Sequence, residues 1–224
     1  VRRCSREILQ GIVHLHSHNV AHRDLSMSNV LIRKGCRSCV IADLGLAHAA
    51  SMCVLDRTVT SPWYRAPEVC VLDDRSLCSQ AALDLWSCGV LLSALWTCTQ
   101  LFQIEEQFTV ELQHHFLLQS VVKVLGDPEK HWPEIAKLPK WVALQKTLEI
   151  LLPRMSLVET LKCVKSVRRP LSEWPLAADL IALLLRWKPS SRASAATCLQ
   201  HSLWNATGNI VPQQESLVSE AFLK

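Results

Sequence analysis

The sequence predicts a mainly α fold, a helical bundle that carries one small β-hairpin. Three observations predict it. Apolar residues recur at helical spacing in several long segments, beginning with Ile8, Leu9, Ile12, Val13 and Leu15. The longest apolar run, Leu85 to Cys98, is shorter than the roughly 20 residues a bilayer span takes. Because Ala81, Ala82 and Asp84 precede that run on the same helical pattern, it reads as a buried core helix. Only two short β-type runs stand out, Val30-Leu31-Ile32 and Cys39-Val40-Ile41-Ala42, on either side of a turn at Gly35.

The elements follow in order. The first helix fades near Ser17-His18-Asn19, and the hairpin comes next. Ala49 to Pro67 lacks sustained periodicity and reads as a long loop, of a length that usually carries function inside a compact domain. Helical patterns then return at about 81–97, 107–125, 142–152, 176–187 and 193–201, punctuated by prolines 128, 133, 139, 153, 170, 175 and 189. After Trp204 the chain turns polar. The expected division is one domain over 1–204 and a loosely held tail over 205–224.

Composition excludes several classes. At 224 residues, 49% hydrophobic and 20% charged, the chain matches ordinary globular usage and is long enough for one real core. The net charge of +4 is mild. Its one basic cluster, Lys162, Lys165, Arg168 and Arg169, lacks interleaved aromatics and reads as a solvated face, so no nucleic-acid partner is expected. No membrane span or signal peptide is read from the chain. Ten scattered cysteines in a chain of this size read as reduced and intracellular, in the cytoplasm and/or nucleus. The single CxxC, Cys36 to Cys39, has no second ligand pair at zinc-finger spacing, and a hairpin turn is the better reading. His14 and His18, four apart on a helix, have a metal-ligand spacing but no evident third ligand.

The chemistry concentrates in four motifs. His22-Arg23-Asp24-Leu25-Ser26-Met27-Ser28-Asn29 supplies a carboxylate and a carboxamide five residues apart. It resembles the catalytic loop of protein kinases, H-R-D-L-x-x-x-N. Phosphoryl transfer needs positioning and charge neutralisation more than covalent chemistry. Asp24 is of the type that accepts the proton of an acceptor hydroxyl, and Asn29 of the type that offers Mg2+ a hard oxygen. Fourteen residues after Asn29 stands Asp43-Leu44-Gly45, which looks like D-F-G with Leu for Phe. Trp63-Tyr64-Arg65-Ala66-Pro67-Glu68 resembles the A-P-E motif that closes an activation segment. Asp84-Leu85-Trp86-Ser87-Cys88-Gly89 resembles the D-x-W-S-x-G start of the long central helix.

Taken in order and at this spacing, the motifs resemble the C-terminal lobe of a eukaryotic protein kinase over about residues 4–204. The W-Y-R-A-P-E form, Leu9-Gln10-Gly11 through His16-Ser17-His18, Val124-Leu125-Gly126-Asp127-Pro128 and Trp132-Pro133-Glu134 are similar to the cyclin-dependent branch of the CMGC group. The resemblance implies a serine/threonine kinase using ATP and Mg2+ on protein substrates, with a cyclin-like activator. Through Arg65, it also implies a preference for proline after the phosphoacceptor. By the same resemblance Asp24 is the base, Asn29 and Asp43 hold the metal, and His22 and Gly45 are structural. Glu68 pairs with Arg192, Asp84 anchors the catalytic-loop backbone, Ser61 braces Asp24, and Arg23 meets the activation-segment phosphate. Asp56 falls where the family carries that phosphorylated threonine, with Thr58 and Thr60 as rival sites.

Two departures stand beside the match. Ser26 occupies the position of a lysine that contacts the transferring phosphate, and Ser28 fills the later position used by some tyrosine kinases. Only 21 residues precede His22, with no Gly-rich loop or V-A-I-K-type lysine among them. An absent N-terminal lobe is therefore expected of this chain. The alternative reading is a catalytically weak or dead kinase-like module that acts by interaction.

Overall fold

The computed structural model describes residues 1–33, 38–51, 61–72, 78–104, 108–148 and 173–205. The first helix, α1 (Arg2–Ser17), buries Ser5, Ile8, Leu9 and Ile12 along one stripe. It ends where Asn19 takes a left-handed φ of 58°, a conformation asparagine tolerates better than most residues. Two antiparallel pairs follow. Strand β1 (Val20–Ala21) pairs with β4 (His48–Ala49), which sequence periodicity did not reveal because two-residue strands carry no alternation. Strands β2 (Val30–Ile32) and β3 (Cys39–Ile41) form the expected hairpin, with Leu31 opposite Val40 and Ile32 opposite Cys39. Its turn at Gly35 and Cys36 lies outside the described residues.

The segment expected as a loop through Pro67 instead closes in a 3-10 turn, Pro62–Tyr64, and a short helix, α2 (Pro67–Val71). Most prolines do not separate helices but open them. Pro128 and Pro133 start 3-10 turns, and Pro67, Pro139 and Pro175 sit in first turns. A first-turn N–H has no intrahelical acceptor, so proline loses nothing there. Helix α3 (Gln80–Thr97) is capped by the Ser79 hydroxyl, which accepts from Ala82 N at 3.3 Å, and it ends at the left-handed Cys98. Helix α4 (Val110–Leu125) stops at Gly126, whose φ of 84° favours glycine.

The last three helices are α5 (Pro139–Leu148), α6 (Trp174–Leu184) and α7 (Ala195–Cys198). Helix α6 ends three residues before the sequence pattern does. Leu185 already leaves helical geometry, and Lys188 is extended, as a residue before proline tends to be. Helix α7 is a single turn within the expected 193–201, started by Ser194 accepting from Thr197 N.

Helix α3 forms the centre of the core. Trp86, Cys88, Leu91 and Leu92 are fully buried. Gly89 lets Leu184 and Leu185 approach closely, and Trp86 stacks on Phe102 with ring centroids 5.7 Å apart. No helix among the described residues is long and apolar enough to cross a membrane. Cys4, Cys39, Cys88, Cys98 and Cys198 are free thiols.

Candidate active site

The segment after β1 is held by one buried carboxylate. Asp84, in the first turns of α3, accepts the backbone N–H groups of His22 and Arg23 at 2.8 Å each. It also bonds the ring of His16 at 2.9 Å. Two N–H groups fixed by one side chain hold the loop in a shape it would not adopt alone, and Arg23 stands at a left-handed φ of 70°. His22 is fully buried and joins two halves of the site. Its Nδ1 accepts from Asp24 N at 3.3 Å, and its Nε2 faces the carbonyl of Ala42 at 3.0 Å. That assigns the proton to Nε2.

The carboxylate of Asp24 is met by Asn29. The Asn29 Nδ2 donates to Asp24 Oδ2 at 2.9 Å and to Asp24 O at 2.8 Å. With both amide hydrogens committed to Asp24, the other end of the Asn29 side chain is its oxygen. The hairpin then brings back the second acid: Ala42 N donates to Asn29 O at 2.8 Å, which sets Asp43 beside Asn29. Asp43 is exposed, has a left-handed φ of 63°, and accepts from Gly45 N at 3.1 Å. An exposed carboxylate and a carboxamide oxygen on neighbouring strand ends are hard oxygens of the kind Mg2+ takes together with phosphate oxygens and water. This donor set therefore fits Mg2+.

The segment 63–68 is tied to the same loop. Tyr64 Oη accepts from Met27 N at 3.2 Å, and Ser87 Oγ donates to Tyr64 O at 2.9 Å. Burial pushes the Tyr64 hydroxyl above its ordinary pKa. Arg65 is buried, and burial lowers its pKa. Glu68 and Arg192 meet in a bidentate pair, both contacts at 2.6 Å. Arg192 also donates to Ala82 O and Arg186 O, and its guanidinium lies 5.0 Å from the Trp86 ring.

Other expectations land differently. No hydrogen bond joins Ser61 to Asp24; Asn29 is the partner of that carboxylate instead. The Ser61 carbonyl accepts from Tyr64 N in the 3-10 turn. Leu44, which stands where D-F-G has its phenylalanine, is 54% exposed. Ser26 is buried and its hydroxyl lies 2.8 Å from that of Ser28, so a hydroxyl pair stands where the resembled family has a cation. Asp56, Thr58, Thr60 and the basic cluster at 162–169 lie outside the described residues. The rings of His14 and His18 are 4.4 Å apart, but no group of three His, Cys, Asp or Glu gathers among the described residues. His16, Tyr64 and Ser87 take part in holding the site, although none was singled out for it from sequence. Tyr64 and Ser87 lie inside motifs that were noticed, and that was the available signal.

Helical bundle, hairpin and site together define the protein kinase fold. The chain belongs to the protein kinase domain family, which matches residues 1–204. It is 31% identical to cyclin-dependent kinase B1-1 of Arabidopsis thaliana over 209 residues, 89% of this chain and 58% of that protein. It is 31% identical to cyclin-dependent kinase F-3 of Oryza sativa subsp. japonica over 221 residues, 95% of this chain and 44% of that one. The chain thus spans about half the length of these curated relatives. A crystal structure of the yeast RNA Pol II CTD kinase CTDK-1 complex shares the fold, with a TM-score of 0.76, 24% identity, and coverage of 92% of this chain and 62% of that one.

Proposed function

We propose that residues 1–204 are the substrate-binding lobe of a cyclin-dependent-like protein kinase that transfers the ATP γ-phosphate to serine or threonine, with residues 205–224 as a tail. The observation that carries this reading is the Asp24–Asn29 pair, joined through Ala42 to Asp43. Asp24 accepts the proton of the acceptor hydroxyl and orients that hydroxyl's oxygen toward the phosphorus. Asn29 keeps the Asp24 carboxylate in place through its amide nitrogen and leaves its own oxygen for the metal. Mg2+ held by Asn29 and Asp43 would neutralise charge on the nucleotide phosphates. The phosphate-covering loop and its lysine belong, in this reading, to a lobe N-terminal to Val1 in the whole protein. Arg65 and the loop around it favour proline after the acceptor, and a cyclin-like activator and cytoplasmic or nuclear residence accompany the reading.

The test is phosphate transfer by the full-length protein to peptides with Ser-Pro, Thr-Pro or Ser-Ala at the acceptor. Transfer should need Mg2+, favour the proline peptides, and fall at least about a hundredfold in Asp24→Asn. A second reading rests on the Ser26–Ser28 hydroxyl pair at the lysine position. Loss of one preorganised charge costs about 10²–10³ in rate, which would leave a kinase-like interaction module. Absence of both transfer and a melting shift with Mg-ATP would favour this second reading.

A further inference from the structure

We propose that Cys4 and Cys39 form an oxidation-responsive thiol pair that closes into a disulfide between α1 and β3. The two residues are 35 apart in sequence, yet Cys39 Sγ reaches the carbonyl of Cys4 at 3.4 Å. Cys39 is buried and Cys4 is partly accessible. The strand presents Cys39 to the helix because Glu7, one turn on from Cys4, accepts Cys39 N at 2.7 Å. Glu7 is itself held by Arg3 at 2.8 Å. The contact is thus built by the helix face and a backbone bond, not by a chance approach of two side chains.

The surroundings sort the thiols into roles. The adjacent Cys39 thiol draws the Cys4 thiol below its ordinary pKa against the cost of burial, with the Val1 ammonium and Arg3 helping and Glu7 opposing. The neighbouring Cys4 raises Cys39, together with its burial and the negative charge of Cys4 and Glu7. Because Cys4 is the accessible thiol and Cys39 the buried one, Cys4 is the nucleophile and Cys39 the resolving thiol. With a hydroperoxide as oxidant, the Cys4 thiolate attacks one peroxide oxygen. The O–O bond breaks, and the leaving oxygen takes a proton to give water or an alcohol. The Cys4 sulfur is oxidised to sulfenic acid. Cys39 sulfur then attacks the Cys4 sulfur, the S–S bond forms, and the hydroxyl leaves as water with the Cys39 proton. The disulfide ties the start of α1 to β3. Through the β2–β3 pairing it tethers the hairpin that sets Asn29 beside Asp43.

The test exposes the folded full chain to hydrogen peroxide, blocks the remaining thiols and digests it without reductant. A peptide pair joining Cys4 to Cys39, lighter by two hydrogens than the free peptides and lost on reduction, is the expected product. It should form equally in Cys36→Ser, which removes the neighbouring thiol. In Cys39→Ala, checked for native circular dichroism, Cys4 should stop at a dimedone-trappable sulfenic acid. Its alkylation at pH 7 should slow at least about threefold, because the thiolate loses its donor. Amides of β2 and β3 should exchange more slowly in the oxidised chain. A Cys36–Cys39 link without Cys4 would overturn the proposal, and so would oxidation of the exposed Cys98 while Cys4 stays reduced. Should Cys39→Ala fail to fold, the linked peptide in the wild type and Cys36→Ser decides alone.

Discussion

At the residue scale, the Glu68–Arg192 pair is the sharpest energetic feature. Both side chains are almost completely buried, and the Arg192 donors are taken up by Glu68, Ala82 O and Arg186 O. Removing one partner leaves an uncompensated charge in the core. Arg192→Ala should therefore destabilise the chain by about 3–5 kcal/mol in urea denaturation. The double substitution Glu68→Leu with Arg192→Met should recover most of that loss, because the charges then leave together. A double variant as unstable as the single one would mean that packing, not charge, governs the site. Tyr64→Phe poses a smaller question. It takes away the acceptor of Met27 N, which should cost about 1–3 kcal/mol if that N–H finds no other partner. Hydrogen exchange at Met27 would read it directly. The contacts legible from sequence, Glu68 with Arg192 and Asp84 with the backbone at His22 and Arg23, join residues whose chemical type the motifs fix. His16 was not legible, because its bond to Asp84 spans 68 positions and only the packing of α1 on α3 brings the two together.

At the element scale, two glycines separate close packing from mere proximity. A Cβ on Gly89 would stand 2.8 and 2.9 Å from Leu185 side-chain atoms and 3.0 Å from Leu184 Cβ. Those leucines sit at the end of α6 inside the core and have little room to yield. Gly89→Ala should lose about 1–3 kcal/mol to overpacking, more than the roughly 1 kcal/mol that helix propensity returns. On α1, a Cβ at Gly11 would meet Ile41 Cδ1 at 2.9 Å. Ile41 is only partly buried and can turn away. Gly11→Ala should be near neutral or slightly stabilising. Thermal unfolding of the two variants should rank Gly11→Ala clearly above Gly89→Ala, and the reverse order would contradict the packing assigned to α3 and α6. The helices were legible because their apolar stripes repeat over many turns. Their ends were less so. Proline was read as a separator although its geometry suits a first turn, and β1 and β4 are too short to show a period.

At the scale of the whole molecule, the hairpin has two apolar faces, and the described chain covers part of one, leaving Ile32 at its end exposed. Cys39 is buried toward α1, and Ile41 packs against Gly11 on the same helix. Leu31 and Val40, cross-strand neighbours on the opposite face, are 55% and 54% exposed, and Leu44 and Leu46 next to Asp43 are exposed as well. A lone exposed leucine is ordinary, but four exposed apolar side chains on and just after one hairpin beside a candidate site mark a contact surface. Under the proposed function, the nucleotide and the upper lobe cover that surface. Leu31→Thr with Val40→Thr should then shift the unfolding free energy of residues 1–224 by no more than about 0.5 kcal/mol, as exposed substitutions do. In the full-length protein the same pair should weaken Mg-ATP binding, read as a smaller melting shift at fixed nucleotide concentration. An unchanged shift in the full-length protein would mean that the outer face of the hairpin serves something other than nucleotide. A large loss of stability in residues 1–224 would mean that this face is already covered by the chain itself.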